Sequence, residues 1–143
     1  MKKALVLGAS GGMGYALTCE LAERGMEVVA FARSKDKLQR LFGDMNRVTI
    51  VAGDVFHLDQ FIEAGKGADV IFHAVSIPYP QWYDGLARLM ENILKSAAVN
   101  QAGVVYIDNI YAYGRSPGEK VTEETPKRPH TKKASFACSR SKK

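Results

Sequence analysis

Gly8, Gly11 and Gly14 stand three apart in Gly8-Ala-Ser-Gly-Gly-Met-Gly14. An apolar run, Ala4-Leu-Val-Leu7, precedes them, and from Met13 apolar residues recur at Ala16, Leu17 and Leu21, a helical spacing. A phosphate group needs this arrangement. The first glycine permits a tight turn out of a strand, the second lets backbone approach a pyrophosphate, and the third allows close helix–strand packing. The helix N-terminus then offers free N–H groups and the positive end of its dipole. Ser10 adds a hydroxyl donor. A turn with surplus glycine is the plain alternative, but the strand before, the helix after and the unit around the motif favour an anion cradle made of Gly8, Ser10, Gly11, Gly12, Met13 and Gly14. The phosphate-loop ending Gly-Lys-Ser/Thr is absent, which disfavours a nucleoside triphosphatase.

The rest of the chain must hold that turn in place. Strands are expected at Ala4–Leu7, Val28–Phe31, Val48–Val51, Val70–Phe72 and Val104–Ile107. Between them, a first helix stops near Arg24-Gly25 and a second starts at the N-cap candidate Ser34. A short helix covers Leu58 to Ala64, and the clearest one carries Leu86, Leu89, Met90, Ile93, Leu94 and Ala97 on one stripe. The two prolines of Ser76-Ile-Pro-Tyr-Pro80 mark a loop. Strands alternating with helices imply right-handed crossovers and a parallel sheet. The expected fold is therefore α/β, a Rossmann-like doubly wound sheet of about five strands in the order 3-2-1-4-5.

The chain has 143 residues, 46% hydrophobic and 24% charged, which fits one globular domain with a real core. The net charge of +5 is unevenly placed. Seven of the 20 basic residues fall in 127–143, which has no acid, leaving 13 basic against 15 acidic residues before it. A dinucleotide-binding domain is expected over residues 1–126 and a solvated, unstructured basic tail over 127–143. Polyanion binding through that tail is the weaker reading, since no aromatic platform or groove-reading helix accompanies it. No apolar run is long enough for a membrane span or a signal peptide. Cys19, expected near the polar face of the first helix, and Cys138 suit neither a disulfide framework nor a zinc site, no cluster has metal-ligand spacing, and a cytoplasmic setting is expected.

On its glycine spacing the chain resembles the short-chain dehydrogenase/reductase superfamily, in particular its extended, epimerase/dehydratase-like branch. The resemblance covers residues 1 to about 133. It implies a nicotinamide dinucleotide as cofactor and hydride transfer on a carbonyl or sugar-nucleotide-like substrate. Members that prefer NAD place an acid at the end of strand two; here the segment is Ala30-Phe-Ala-Arg33-Ser34. Arg33 can instead meet a 2′-phosphate, with Lys37 as helper, so NADP is expected in preference to NAD; the alternative for Arg33 is a surface charge. Gly53-Asp54-Val55 resembles the adenine-binding corner, although Asp54 serves a turn or a helix cap equally well. Phe72-His73-Ala74-Val75 resembles the segment that passes the nicotinamide-side ribose, with Ala74 at the cofactor. His73 itself reads as a packed side chain, and the aromatics of Pro78-Tyr-Pro-Gln-Trp82-Tyr83 either line a substrate pocket or cover the long helix.

The catalytic pattern of the superfamily is broken here. Its Tyr and a Lys four residues later are missing: four residues beyond Tyr15, Tyr79, Tyr83, Tyr106, Tyr111 and Tyr113 stand Cys19, Tyr83, Ala87, Ile110, Arg115 and Pro117. Counting from Tyr113-Gly114, Asn109 falls where the Ser/Thr stands, and an Asn can still donate to a carbonyl oxygen. Lys133 falls at the Tyr position and Ala137 at the Lys position. Asn109, Tyr111 and Lys133 are the candidate catalytic residues. Extended members run to about twice this length, so an early-terminated or frame-shifted relative is expected, with strand five left as a sheet edge that invites self-association. Two readings follow: an NADP-dependent reductase- or epimerase-like protein, or a non-catalytic NADP(H)-binding module or inactive fragment.

Overall fold

A computed structural model of the chain describes residues 2–115, 118, 120–131 and 135. The chain divides into two compact units, Met1–Ile107 and Asp108–Lys143. The first unit runs β1 (Lys3–Leu7), α1 (Gly12–Glu23), β2 (Glu27–Ala32), α2 (Lys35–Phe42), β3 (Val48–Ala52), α3 (Leu58–Ala64), β4 (Val70–His73), α4 (Trp82–Asn100) and β5 (Gly103–Tyr106). The five strands form one parallel sheet in the order β3-β2-β1-β4-β5, as expected.

Alternation along the strands supplies both faces of this sheet. Leu5, Leu7, Val29, Phe31 and Ile71 face one way and pack with Phe61 of α3 and Leu89 and Ile93 of α4. Val6, Val28 and Ala30 face the other way, against Ala22 of α1 and Leu38 and Phe42 of α2. A strand buried on both faces reads as an unbroken apolar run, which is why β1 and β2 are so plain in the sequence.

The helix boundaries have local causes. Ser34 caps α2, its Oγ accepting from the Lys37 N–H at 3.2 Å. Gly25, at φ +85°, ends the turn after α1. Helix α4 ends at Gln101, in the left-handed region at φ 55°. Asp69 fastens β1 beside β4 by accepting from the N–H groups of Lys2 and Lys3, and these bonds hold its carboxyl below the usual carboxylate range.

Two expectations are corrected. Leu94 leaves the apolar stripe of α4: it is 57% exposed, while Leu89, Ile93 and Ala97 are buried, because the core-facing arc is narrower than the stripe inferred. Cys19 is half-buried and packs against the α1–α2 face of the core, not along the polar face of the helix.

Among its described residues the second unit holds a 3-10 turn, Ile110–Tyr113, capped by Asn109, whose Oδ1 accepts from the Tyr111 N–H at 3.0 Å, and a turn closed by the Thr125 N–H to Thr122 O at 3.1 Å. Much of the basic tail expected over 127–143, including Lys133 and Cys138, lies outside the described residues.

His73 is the titratable group that the sheet buries. It is 1% exposed, and burial lowers its pKa from 6.5 to about 4. Its ring lies 4.8 Å from that of Tyr106, and its Nδ1 accepts from the Val75 N–H at 3.1 Å. The unfolded chain therefore takes up a proton between pH 6.5 and 4 that the folded chain refuses, so stability is full above the unfolded value and falls as pH drops through the folded one. The expected loss is about 3 kcal/mol. Urea unfolding at pH 7 and pH 4 should show this component in the wild-type chain and lack it in His73→Leu.

Candidate functional site

The turn from β1 into α1 is built on two contacts that no side chain can share. Gly8 sits at φ +76°, and a Cβ there would lie 2.7 Å from the Ala74 carbonyl oxygen. A Cβ on Gly14 would lie 2.2 Å from the Gly8 carbonyl oxygen. The turn is further held by the Gly8 N–H to Phe31 O at 2.9 Å and the Gly11 N–H to Gly8 O at 2.9 Å. The first bond inside α1 runs from the Tyr15 N–H to Gly11 O at 2.8 Å. The N–H groups of Gly12, Met13 and Gly14 thus open the helix ahead of its own hydrogen bonds, with no acidic residue in that turn. A Cβ on Gly12 would meet nothing within 4 Å.

Gly12 and Met13 line a cleft of about 550 Å³ at the carboxyl ends of the strands. That volume lies within the roughly 300–1,000 Å³ usual for cofactor and small-molecule sites. Of the residues singled out for the cofactor, Gly8, Ser10, Gly11, Gly12, Met13, Arg33, Lys37, Asp54, Val55 and Ala74 all line it. Gly14 does not; it sits behind the turn, where its missing side chain lets α1 approach.

Charge is unevenly distributed along the cleft. Arg33 and Lys37 are its cations and Asp54 its one carboxylate. Arg33 and Lys37 are exposed and belong to no ion pair among the described residues. Asp54 is held in a tight loop: its Oδ1 accepts from the Phe56 N–H at 3.0 Å, and its own N–H donates to Gln60 Oε1 at 3.2 Å. The turn role considered for Asp54 is therefore real, and it leaves the residue on the cleft wall.

Sequence reasoning missed part of the lining. Phe56, Ser76, Ile77 and Gln81 also face the cleft. Trp82, at the start of α4, donates from Nε1 to the Ile77 carbonyl at 3.0 Å, and its ring lies 4.7 Å from that of Tyr79. The aromatic segment thus holds the 76–81 loop, while Pro78 and Gln81 reach the cleft themselves. The catalytic candidates lie elsewhere in the chain. Asn109 and Tyr111 belong to the second unit, where the Asn109 amide also donates to Asp108 Oδ1 at 3.3 Å. Lys133 lies outside the described residues.

Comparison with known proteins decides the family. A model of the NAD(P)H-binding family matches residues 8–135. The chain belongs to that family. It is 36% identical over 114 residues to a 2-alkyl-3-oxoalkanoate reductase from Shewanella oneidensis, covering 80% of this chain and 28% of that protein. It is 28% identical over 113 residues to a very-long-chain 3-oxoacyl-CoA reductase from Bos taurus, covering 71% of this chain and 36% of that one. The fold matches uronate dehydrogenase from Agrobacterium tumefaciens with a TM-score of 0.75 at 23% identity, over 96% of this chain and 52% of the dehydrogenase. A variant of that dehydrogenase has been solved with NAD. The chain spans 28–36% of the length of these curated relatives and about half that of the solved neighbour. It is an NAD(P)-binding, Rossmann-like domain related to oxidoreductases, with short-chain-dehydrogenase and epimerase-like structural neighbours, as its glycine spacing led us to expect. No helix among the described residues is long and apolar enough to cross a membrane.

Gly14 and Gly12 differ in what an added methyl would meet. Gly14→Ala should cost about 2 kcal/mol or more, because its new methyl meets backbone that cannot step aside. Gly12→Ala should keep the wild-type stability or gain up to about 1 kcal/mol from the stiffer unfolded chain. Denaturant midpoints of both variants measure this.

Proposed function

We propose that the chain binds NADP(H) in preference to NAD(H) and that its parental chemistry is reduction of a carbonyl. The observation that carries the preference is the pair of cations, Arg33 and Lys37, on the cleft wall after β2, in no ion pair among the described residues, where an NAD-preferring site would present an acid. Two positive side chains there suit a 2′-phosphate, which accepts charge-assisted hydrogen bonds that a hydroxyl cannot match. In this reading the pyrophosphate lies over the N–H groups of Gly12 and Met13 with Ser10 beside it. Asp54 and Val55 meet the adenine, and Ala74 passes the nicotinamide-side ribose.

Bound NADPH would supply hydride to the carbonyl carbon of a substrate. The chain's part is to orient that carbonyl and to deliver the proton its oxygen then needs. Asn109 is our candidate donor to the carbonyl oxygen, and Tyr111 and Lys133 are candidates for the proton, in place of the absent Tyr-x-x-x-Lys pair. The reductase names of the two curated relatives favour a 3-oxoacyl compound over a sugar nucleotide as substrate class. The cytoplasmic setting and self-association through the edge of β5 belong to the same proposal. One observation favours the second reading, a module that binds NADP(H) without turnover: none of the six tyrosines has a lysine four residues on.

Titration by nicotinamide fluorescence tests the cofactor. NADPH should bind more tightly than NADH, and Arg33→Ala should lose roughly 10-fold or more of the NADPH affinity while leaving NADH little changed. Equal affinity for the two cofactors would refute the preference. Turnover is tested by the fall in NADPH absorbance with a 3-oxoacyl thioester. Oxidation that Lys133→Ala or Tyr111→Phe abolishes supports the reductase, whereas binding without oxidation supports the module.

A further inference from the structure

Helix α4 carries four polar residues at intervals of four: Arg88, Asn92, Ser96 and Asn100. At this spacing they share one face of the helix. All four donate to main-chain carbonyls of the segment from β3 through α3. Asn92 Nδ2 reaches Val55 O at 2.9 Å, and Arg88 Nη2 reaches Phe56 O at 3.3 Å. Ser96 Oγ reaches Phe61 O at 3.4 Å, and Asn100 Nδ2 reaches Ile62 O at 3.1 Å. The first two therefore end on the cleft wall and the last two on the body of α3.

We propose that Asn92 and Arg88 are positioning residues that set the cleft wall Asp54–Phe56 from behind and thereby tune affinity for the adenine half of the dinucleotide. This rests on the cofactor reading above. The wall needs such an anchor. The N-cap of α3 is His57, which forms no side-chain cap bond and whose N–H bonds back to Asp54 O at 2.9 Å. Asp54 and Gln60 tie the loop to α3, but neither bonds the carbonyls of Val55 or Phe56. Asn92 is 8% exposed, and its donor is what the buried Val55 carbonyl receives. The Arg88 guanidinium also lies 5.7 Å from the centre of the Phe56 ring, covering the side chain that faces the cleft. Removing either group leaves a wall carbonyl to find another donor, and the loop moves to do so. Asp54 moves with it, because its carboxylate is bonded to the Phe56 N–H. The glycine turn and the 74–81 loop have their own supports and stay in place.

The test uses the full chain and two half-cofactors, adenosine 2′,5′-bisphosphate and reduced nicotinamide mononucleotide. Asn92→Leu should weaken the adenosine bisphosphate about tenfold and leave the mononucleotide unchanged. Arg88→Met, a change at an exposed position that the fold tolerates, should weaken the same fragment roughly threefold. Ser96→Ala should move neither. Amide exchange of residues 55–57, measured without ligand, should quicken in Asn92→Leu and Arg88→Met and stay unchanged in Ser96→Ala. Variants that keep the wild-type unfolding midpoint and weaken both fragments equally, or weaken neither, overturn the inference. Unchanged exchange at 55–57 overturns it as well. A wild-type chain that binds neither fragment overturns the cofactor reading itself, and the exchange data then show separately whether the anchor exists.

Discussion

The approach of α1 to β1 through Gly8 and Gly14 is the constraint on which the rest of this structure depends. A Cβ on Gly14 would sit 2.2 Å from the Gly8 carbonyl oxygen, so the helix is as close to the turn as backbone allows. That closeness aims the first N–H groups of α1 at the carboxyl ends of the strands. It also brings Gly8 against Ala74, so the ends of β1 and β4 close together and the cleft gains a continuous floor. A parallel sheet supplies the matching condition, since its strands all end on the same side and their loops converge there.

The architecture was legible because each element obeyed a short-range rule. Strands buried on both faces appear as apolar runs, and Ser34, Arg24-Gly25 and the proline pair mark ends that the structure reproduces. The glycine turn and the cleft it borders were legible for a related reason. A phosphate cradle is made of backbone, and backbone geometry demands glycine at fixed positions. Ten of the residues expected there line one cleft.

What stayed hidden was held together by contacts across the fold. Arg88, Asn92, Ser96 and Asn100 look like a solvated face, because polar residues at intervals of four usually are one. Their partners are carbonyls some 30 to 40 positions earlier in the chain, and spacing along one helix cannot name them. A faint signal existed: three of the four are short or uncharged, where an exposed face would favour Glu and Lys. Leu94 misled in the opposite sense, since it continued an apolar stripe past the arc that the sheet can cover. Asp54 carries two roles at once, bonding the turn while standing on the cleft wall, and sequence alone offered them as rivals.

Trp82 is the chain's one tryptophan, and its indole is bonded to the backbone of a residue that lines the cleft. The molecule therefore carries a single indole, which can be excited apart from its six tyrosines, where the 76–81 loop meets α4. Its emission reports on that loop without any added label, and its overlap with the absorption of a reduced nicotinamide makes it an energy donor to a cofactor bound beside it. An optical ruler for occupancy is already built into the natural sequence.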